Sequence, residues 1–259
     1  MEKQVTPISQ LLSGAALVIA AAMTAAPAMA AEPPKTVVLV HGAWADGSSW
    51  GKVIPLLEAK GLRVVAVQNP LSSLADDVAR TRRAIEQAPG PVILVGHSWG
   101  GMVITQAGTD DKVKALVYVA AFALPKGQSV NSATAGNPPP PWSALLQADS
   151  AGYVRLSDEA VAKYFAQDLS KDEIAIIAAT QGPTFAGAFD DKLTAAAYEN
   201  KPSWFVVPTA DSMIGAGPEK AMAAAIKAKV TELDGSHVIM LSKPREVADV
   251  ILAAVNAVN

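Results

Sequence analysis

The chain has no cysteine, few aromatic residues and little charge for its length, and each shortage excludes something. Without cysteine among 259 residues, there is no disulfide framework, no thiolate nucleophile and no lipid-bearing cysteine. Lys and Arg number 21 against 24 Asp and Glu, a net charge of −3. That balance lacks the basic footprint that binding a phosphate backbone requires, so nucleic acid is not an expected partner. Aromatics make up 5% although 51% of residues are hydrophobic, so the apolar fraction is built largely from small side chains. Histidines number three, and there is neither an HxxEH pattern nor a GxGxxG turn, so no metal or dinucleotide cofactor is expected.

Long apolar runs are absent except near the start. From Leu11 to Met23 the chain carries no charge, and it leads into Ala28-Met29-Ala30, small residues at signal-peptidase spacing. Residues 1–30 are therefore expected to be an export signal cut after Ala30, with Ala26-Pro27-Ala28 a second possible cut. An uncleaved anchor is the rival, disfavoured because the run is shorter than a membrane span and ends at Pro27. The expected product is periplasmic or secreted, without stable membrane association.

Residues 31–259 read as one α/β domain. Short Val-, Ile- and Leu-rich runs at Thr36 to His41, Leu62 to Val67, Pro91 to Gly96, Val113 to Ala120, Ser203 to Val207 and Val230 to Leu233 suit strands buried on both faces. Helical text separates them at Lys52 to Lys60, Ser73 to Glu86, Gly100 to Ala107 and Pro218 to Lys229, and a last helix starts near Pro244. The pattern predicts about six parallel strands with helices on both faces. Gly61 is a helix stop, and Ser72 or Ser73 a helix cap. From about 125 to 201 the alternation fails. That stretch shows no clear strand, a proline run from Pro138 to Pro141 and two helical segments, and it is expected to be a helical lid over the carboxyl ends of the strands.

Chemistry concentrates at Gly96-His97-Ser98-Trp99-Gly100-Gly101, which follows a strand and precedes a helix. In that context G-x-S-x-G makes a sharp turn that holds the serine hydroxyl above the sheet. A serine needs a base. His41 ends a strand and His97 lies inside the turn, which leaves His237, in Gly235-Ser236-His237, as the candidate. Asp211 follows the fifth strand and is the favoured acid, with Asp234 and Glu232 as rivals closer in sequence. The developing oxyanion needs two backbone N–H donors, expected from Ala43, on the His41-Gly42-Ala43-Trp44 loop, and from Trp99. Trp44, Phe122, Trp142, Phe165, Phe185, Trp204, Met213 and Ile214 are candidate pocket walls.

These motifs, with Trp50 and Pro55-Leu-Leu-Glu between them, resemble the α/β-hydrolase superfamily, in particular the branch of plant methyl-ester esterases and hydroxynitrile lyases. The resemblance spans nearly all of the chain after the signal and is weakest in the lid. It implies Ser98, Asp211 and His237 as a triad, oxyanion amides at Ala43 and Trp99, and a small-molecule ester or lactone as substrate, the protein being a monomer or homodimer. The cyanohydrin-cleaving members carry a lysine after the catalytic histidine and a threonine in the oxyanion loop. Here Val238 and Gly42 stand there, which disfavours a C–C lyase. Relatives that displace halide or open epoxides have Asp at the elbow, where this chain has Ser98. A non-catalytic binding protein on the same fold is the remaining alternative.

Overall fold

The computed structural model describes residues 33–258; the expected export signal at residues 1–30 lies outside them. Strands β1 (Thr36–Val40), β2 (Arg63–Val67), β3 (Val92–His97) and β4 (Val113–Val119) alternate with helices α1 (Ile54–Glu58), α2 (Leu74–Glu86) and α3 (Gly100–Ala107). After an insertion come β8 (Ser203–Pro208), α7 (Ala216–Ala225), β9 (Lys229–Leu233), α8 (Ile239–Ser242) and α9 (Pro244–Asn256).

The main sheet has the order β2-β1-β3-β4-β8-β9, with every pair parallel. Its four inner strands are buried almost throughout because helices cover both faces, whereas edge strand β2 is mostly half-buried and edge strand β9 mostly exposed. That is why TVVLV, VILVGH and SWFVVP read as continuous apolar text rather than as alternation. Helices α1 and α9 pack together, as do α2 and α3. Right-handed crossovers that move in opposite directions along the sheet place the two pairs on opposite faces. All six expected strands and the five expected helices of the main layers are present, to within a few residues at their ends. Ser73 caps α2 by accepting from the Asp76 amide, and Gly61 stops α1 at φ 77°.

The segment between β4 and β8 corrects one expectation, since it is not purely helical. It contains α4 (Val130–Thr134), β5 (Leu146–Ala148), β6 (Tyr153–Leu156), α5 (Asp158–Ala160), α6 (Lys171–Thr180) and β7 (Thr184–Phe185). The three strands form a small antiparallel sheet in the order β5-β6-β7. They are two to four residues long, too short to show a two-residue period. The turn before β6 relies on Asp149 Oδ1 accepting from the Ala151 and Tyr153 amides, and on Gly152 at φ 84°. The helical text at Glu159 to Gln167 becomes α5 followed by a π turn at Val161–Phe165. Among the described residues, no helix is long and apolar enough to cross a membrane.

Candidate active site

The parallel register sets the geometry. His97 at the end of β3 pairs with Val119, Val119 with Val206, and Pro208 with Leu233. The loops carrying Ser98, Asp211 and His237 therefore leave the same edge of the sheet. Beyond the strand ends the ladder continues, with the Thr209 amide donating to Leu233 (2.8 Å) and the Ala210 amide to Gly235 (3.1 Å). These bonds hold the loops that carry Asp211 and His237 side by side.

Ser98 sits at φ 53°, in the left-handed region that a side chain seldom adopts. Its amide donates to the Val119 and Ala120 carbonyls, and its carbonyl accepts from Gly101 and Phe122, so the end of β4 and the first turn of α3 hold the strained turn. Two glycines make it possible. A Cβ at Gly96 would stand 2.6 Å from the Gly100 carbonyl oxygen, and one at Gly101 would stand 2.2 Å from that of Phe122.

His237 and Asp211 meet. His237 Nδ1 donates to Asp211 Oδ2 at 2.6 Å, with His237 1% and Asp211 8% exposed. Asp211 Oδ1 accepts from the amides of Met213 (2.6 Å) and Ile214 (3.0 Å). Burial alone would push the Asp211 carboxyl up. The charge and hydrogen bond of His237, with further hydrogen bonds, outweigh burial and hold it well below the usual carboxylate range. The rival acids are engaged elsewhere. Glu232 pairs with Lys220 at 3.1 Å, and Asp234 accepts from Thr209. Ser98, 8% exposed, is tied to His237 through its neighbour, since His97 Nε2 donates to the His237 carbonyl at 3.0 Å and the two rings lie 4.8 Å apart.

The two remaining histidines brace the site and are kept neutral. Burial lowers both, and for His97 the nearby His237 adds to the effect. His41 Nε2 accepts from the Asn69 amide at 2.9 Å, so Nδ1 carries the proton and donates to the Gly42 carbonyl at 2.8 Å. The Gly42–Ala43 peptide is trans, so its N–H, on Ala43, points opposite to that anchored carbonyl. Gly42 is packed against the elbow. A Cβ there would lie 2.6 Å from Ser98 Cβ, which explains why the loop has glycine at this position. Trp44 follows at φ 56°, its amide donating to Thr184 Oγ1 (3.3 Å) and its indole N–H to the Val154 carbonyl (3.0 Å).

The other candidate donor, Trp99, is anchored through its side chain. Its indole N–H donates to Asp77 Oδ2 at 2.8 Å, and the Leu71 amide donates to Asp77 Oδ1 at 2.9 Å. Burial raises the Asp77 carboxyl to about 6 from 3.8; those two hydrogen bonds oppose the rise, and the Asp76 charge adds to it. Between about pH 4 and 6, the folded protein therefore holds a proton that the unfolded chain releases. Stability from this group is fully present below about pH 4 and is lost as pH rises to about 6, by up to about 3 kcal/mol. Urea midpoints measured from pH 4 to 7 are expected to show this fall in the wild type minus Asp77→Asn difference. A difference independent of pH would refute the assignment.

The expected pocket residues divide. A crevice of about 230 Å³ opens beside the site, lined by Trp44, Lys52, Phe165, Ile177, Val238 and Leu241 among others. Ser98 is not on its wall. Phe165 forms part of the wall and also stands 5.3 Å from the His237 ring. Trp142 meets Trp44 edge-on at 5.5 Å and donates its indole N–H to the Met213 carbonyl. Met213 and Ile214 act through their amides on Asp211, and Phe122 is half-buried behind the elbow. Two residues stand elsewhere. Phe185 is 36% exposed and packs on Tyr153 in the small sheet. Trp204 lies near the start of β8, with Lys229 over its ring at 4.9 Å, toward the sheet end away from Ser98. Phe189, which no motif marks, closes the aromatic group between Trp44 (5.9 Å) and Trp99 (5.5 Å). The insertion also reaches the acid and base loops, with Gln167 donating to Ala210 and Asp168 accepting from the Ser236 amide.

A mostly parallel α/β sheet with a strained serine turn at its carboxyl edge and an Asp–His pair beside it defines a hydrolase-type scaffold. The chain belongs to the alpha/beta hydrolase family, whose model matches residues 37–250. It is 40% identical over 103 residues to salicylic acid-binding protein 2 of Nicotiana tabacum, a match spanning 34% of this chain and 40% of that protein. Over a longer stretch of 257 residues it is 28% identical to esterase PIR7B of Oryza sativa subsp. japonica, covering 84% and 93% of the two chains. The crystal structure of polyneuridine aldehyde esterase superposes with a TM-score of 0.76 at 23% identity, covering 85% of this chain and 98% of that one, and so shares the fold.

Proposed function

We propose that the protein is a serine-dependent carboxylic-ester hydrolase acting on small to medium apolar esters or lactones through an acyl-enzyme. The observation that carries this reading is the 2.6 Å bond from His237 Nδ1 to the buried Asp211 carboxylate, beside the strained turn of Ser98. A histidine held by Nδ1 has Nε2 free as a base. In this reading Nε2 takes the Ser98 hydroxyl proton as Oγ attacks the ester carbonyl, and the Ala43 and Trp99 amides stabilise the oxyanion. His237 then returns the proton to the departing alcohol, and water, deprotonated by the same Nε2, releases the acid. The likeness to a rice protein named as an esterase supports ester chemistry. The insertion, bonded to the oxyanion, acid and base loops, would act as the lid. The apolar stretch before Ala30 supports export to the periplasm or beyond.

Turnover of p-nitrophenyl esters of increasing acyl length, run beside mandelonitrile, tests this reading. Ester cleavage without cyanide release is expected, because Val238 offers no cation to receive cyanide. Cyanide release without ester cleavage would establish the lyase alternative. Absence of both, with no fluorophosphonate adduct on Ser98, would establish the binding-protein alternative.

A further inference from the structure

One buried acid beside the site has no place in the scheme above. Glu219, in the first turn of α7, is 0% exposed. An acidic residue there ordinarily accepts from helix-end amides, yet among the described residues no N–H or O–H donor reaches either Glu219 oxygen. Its neighbour Lys220 turns outward to Glu232 and supplies no charge to it. What Glu219 does face is another carboxyl, that of Asp211, within hydrogen-bonding reach.

Two carboxyls in contact in a buried site cannot both be ionised, so one proton must lie between them. Asp211 is committed as the anion by His237 Nδ1 and by the Met213 and Ile214 amides. We propose that Glu219 is a positioning residue, kept as the neutral carboxylic acid, whose O–H donates to Asp211 and fixes the carboxylate face presented to His237. Burial, followed by the charge and hydrogen bond of Asp211, pushes the Glu219 carboxyl up to about 11. As a neutral donor it occupies an Asp211 lone pair without adding a second negative charge beside the histidine. The role deepens the ester-hydrolase reading and rests on it.

Replacement of Glu219 by Leu and by Gln tests the role, read by p-nitrophenyl acetate turnover and by the rate of fluorophosphonate labelling at Ser98. Glu219→Leu removes the donor at similar volume. It is expected to lower kcat and the labelling rate about ten- to a hundredfold with KM within about twofold, since orientation of the base matters in the transition state and not in binding. Glu219→Gln keeps an N–H donor and should restore most of the lost rate. A role in packing alone would change thermal stability and leave kcat in place. Wild-type kcat in the Leu variant, or equal loss in both variants, would overturn the proposal while the ester-hydrolase reading stands. Failure of wild-type Ser98 to label or turn over ester would remove that reading and this proposal with it. If the Leu variant does not fold, the infrared difference between wild type and Glu219→Gln at neutral pH decides. A protonated-carboxyl carbonyl band is expected, and its absence refutes the neutral acid.

Discussion

Ser98→Ala is expected to reduce ester turnover to near background, a loss on the order of a millionfold in kcat, and to abolish fluorophosphonate labelling. The size follows from the position of the hydroxyl. No cysteine is present to replace it, and the left-handed turn at φ 53° holds this side chain at the carboxyl edge, where the acid and base loops converge. The substitution should leave the fold intact. The turn depends on backbone bonds from Ser98 to Val119, Ala120, Gly101 and Phe122, and none involves the hydroxyl. Alanine retains the Cβ and hence the same backbone strain, so the melting temperature should stay within about 2 °C of wild type. Ser98→Gly offers a control in the other direction. It also lacks the nucleophile but relieves the positive φ, and it should melt higher than Ser98→Ala. Substantial turnover by either variant would move the nucleophile away from this turn.

Much of the scaffold was legible in the sequence, for reasons the structure makes physical. Parallel strands buried on both faces must be continuously apolar, so β1, β3, β4 and β8 could be read directly. The elbow was legible because its crowding excludes side chains: the glycines at 96 and 101 face carbonyl oxygens at distances no Cβ tolerates. Asp211 is legible as a partner of His237 because a loop leaving the neighbouring strand can reach across to the ring, and the two side chains meet at 2.6 Å. The insertion was poorly legible. Its strands are shorter than the period needed to recognise them, and they are fixed by contacts to distant loops, such as the Trp44 indole on Val154.

The expected aromatic wall divides for the same reason. Phe185 and Phe189 are close in sequence, but the turn at Ala186–Asp190 sends one to the surface and the other between Trp44 and Trp99. Nothing in the local text separates them. Glu219 was illegible in a different way. Pro-Glu at a helix start reads as a solvated N-terminal acid, and only the packing of α7 against the acid loop buries its carboxyl beside Asp211.

Asp211→Asn is expected to cost roughly ten-thousandfold in kcat with little change in KM. The loss follows from where the proton sits on His237. With a carboxylate opposite, Nδ1 must be the donor, which leaves Nε2 without a proton and able, in the proposed reaction, to take the one on Ser98. An asparagine can keep its oxygen on the Met213 and Ile214 amides, which turns its NH2 toward Nδ1. Two donors cannot face each other, so the imidazole shifts its proton to Nε2 and no longer acts as a base. Stability is expected to fall with activity. The folded protein holds the Asp211 carboxyl well below the usual carboxylate range, so its charge favours the folded state at neutral pH, and the amide forfeits that contribution. The Asn variant should therefore unfold at a lower urea concentration than wild type while remaining folded and almost inactive. An unchanged urea midpoint would mean that the Asp211 charge contributes nothing to the fold. A variant that kept activity would transfer the acid's role to another carboxylate.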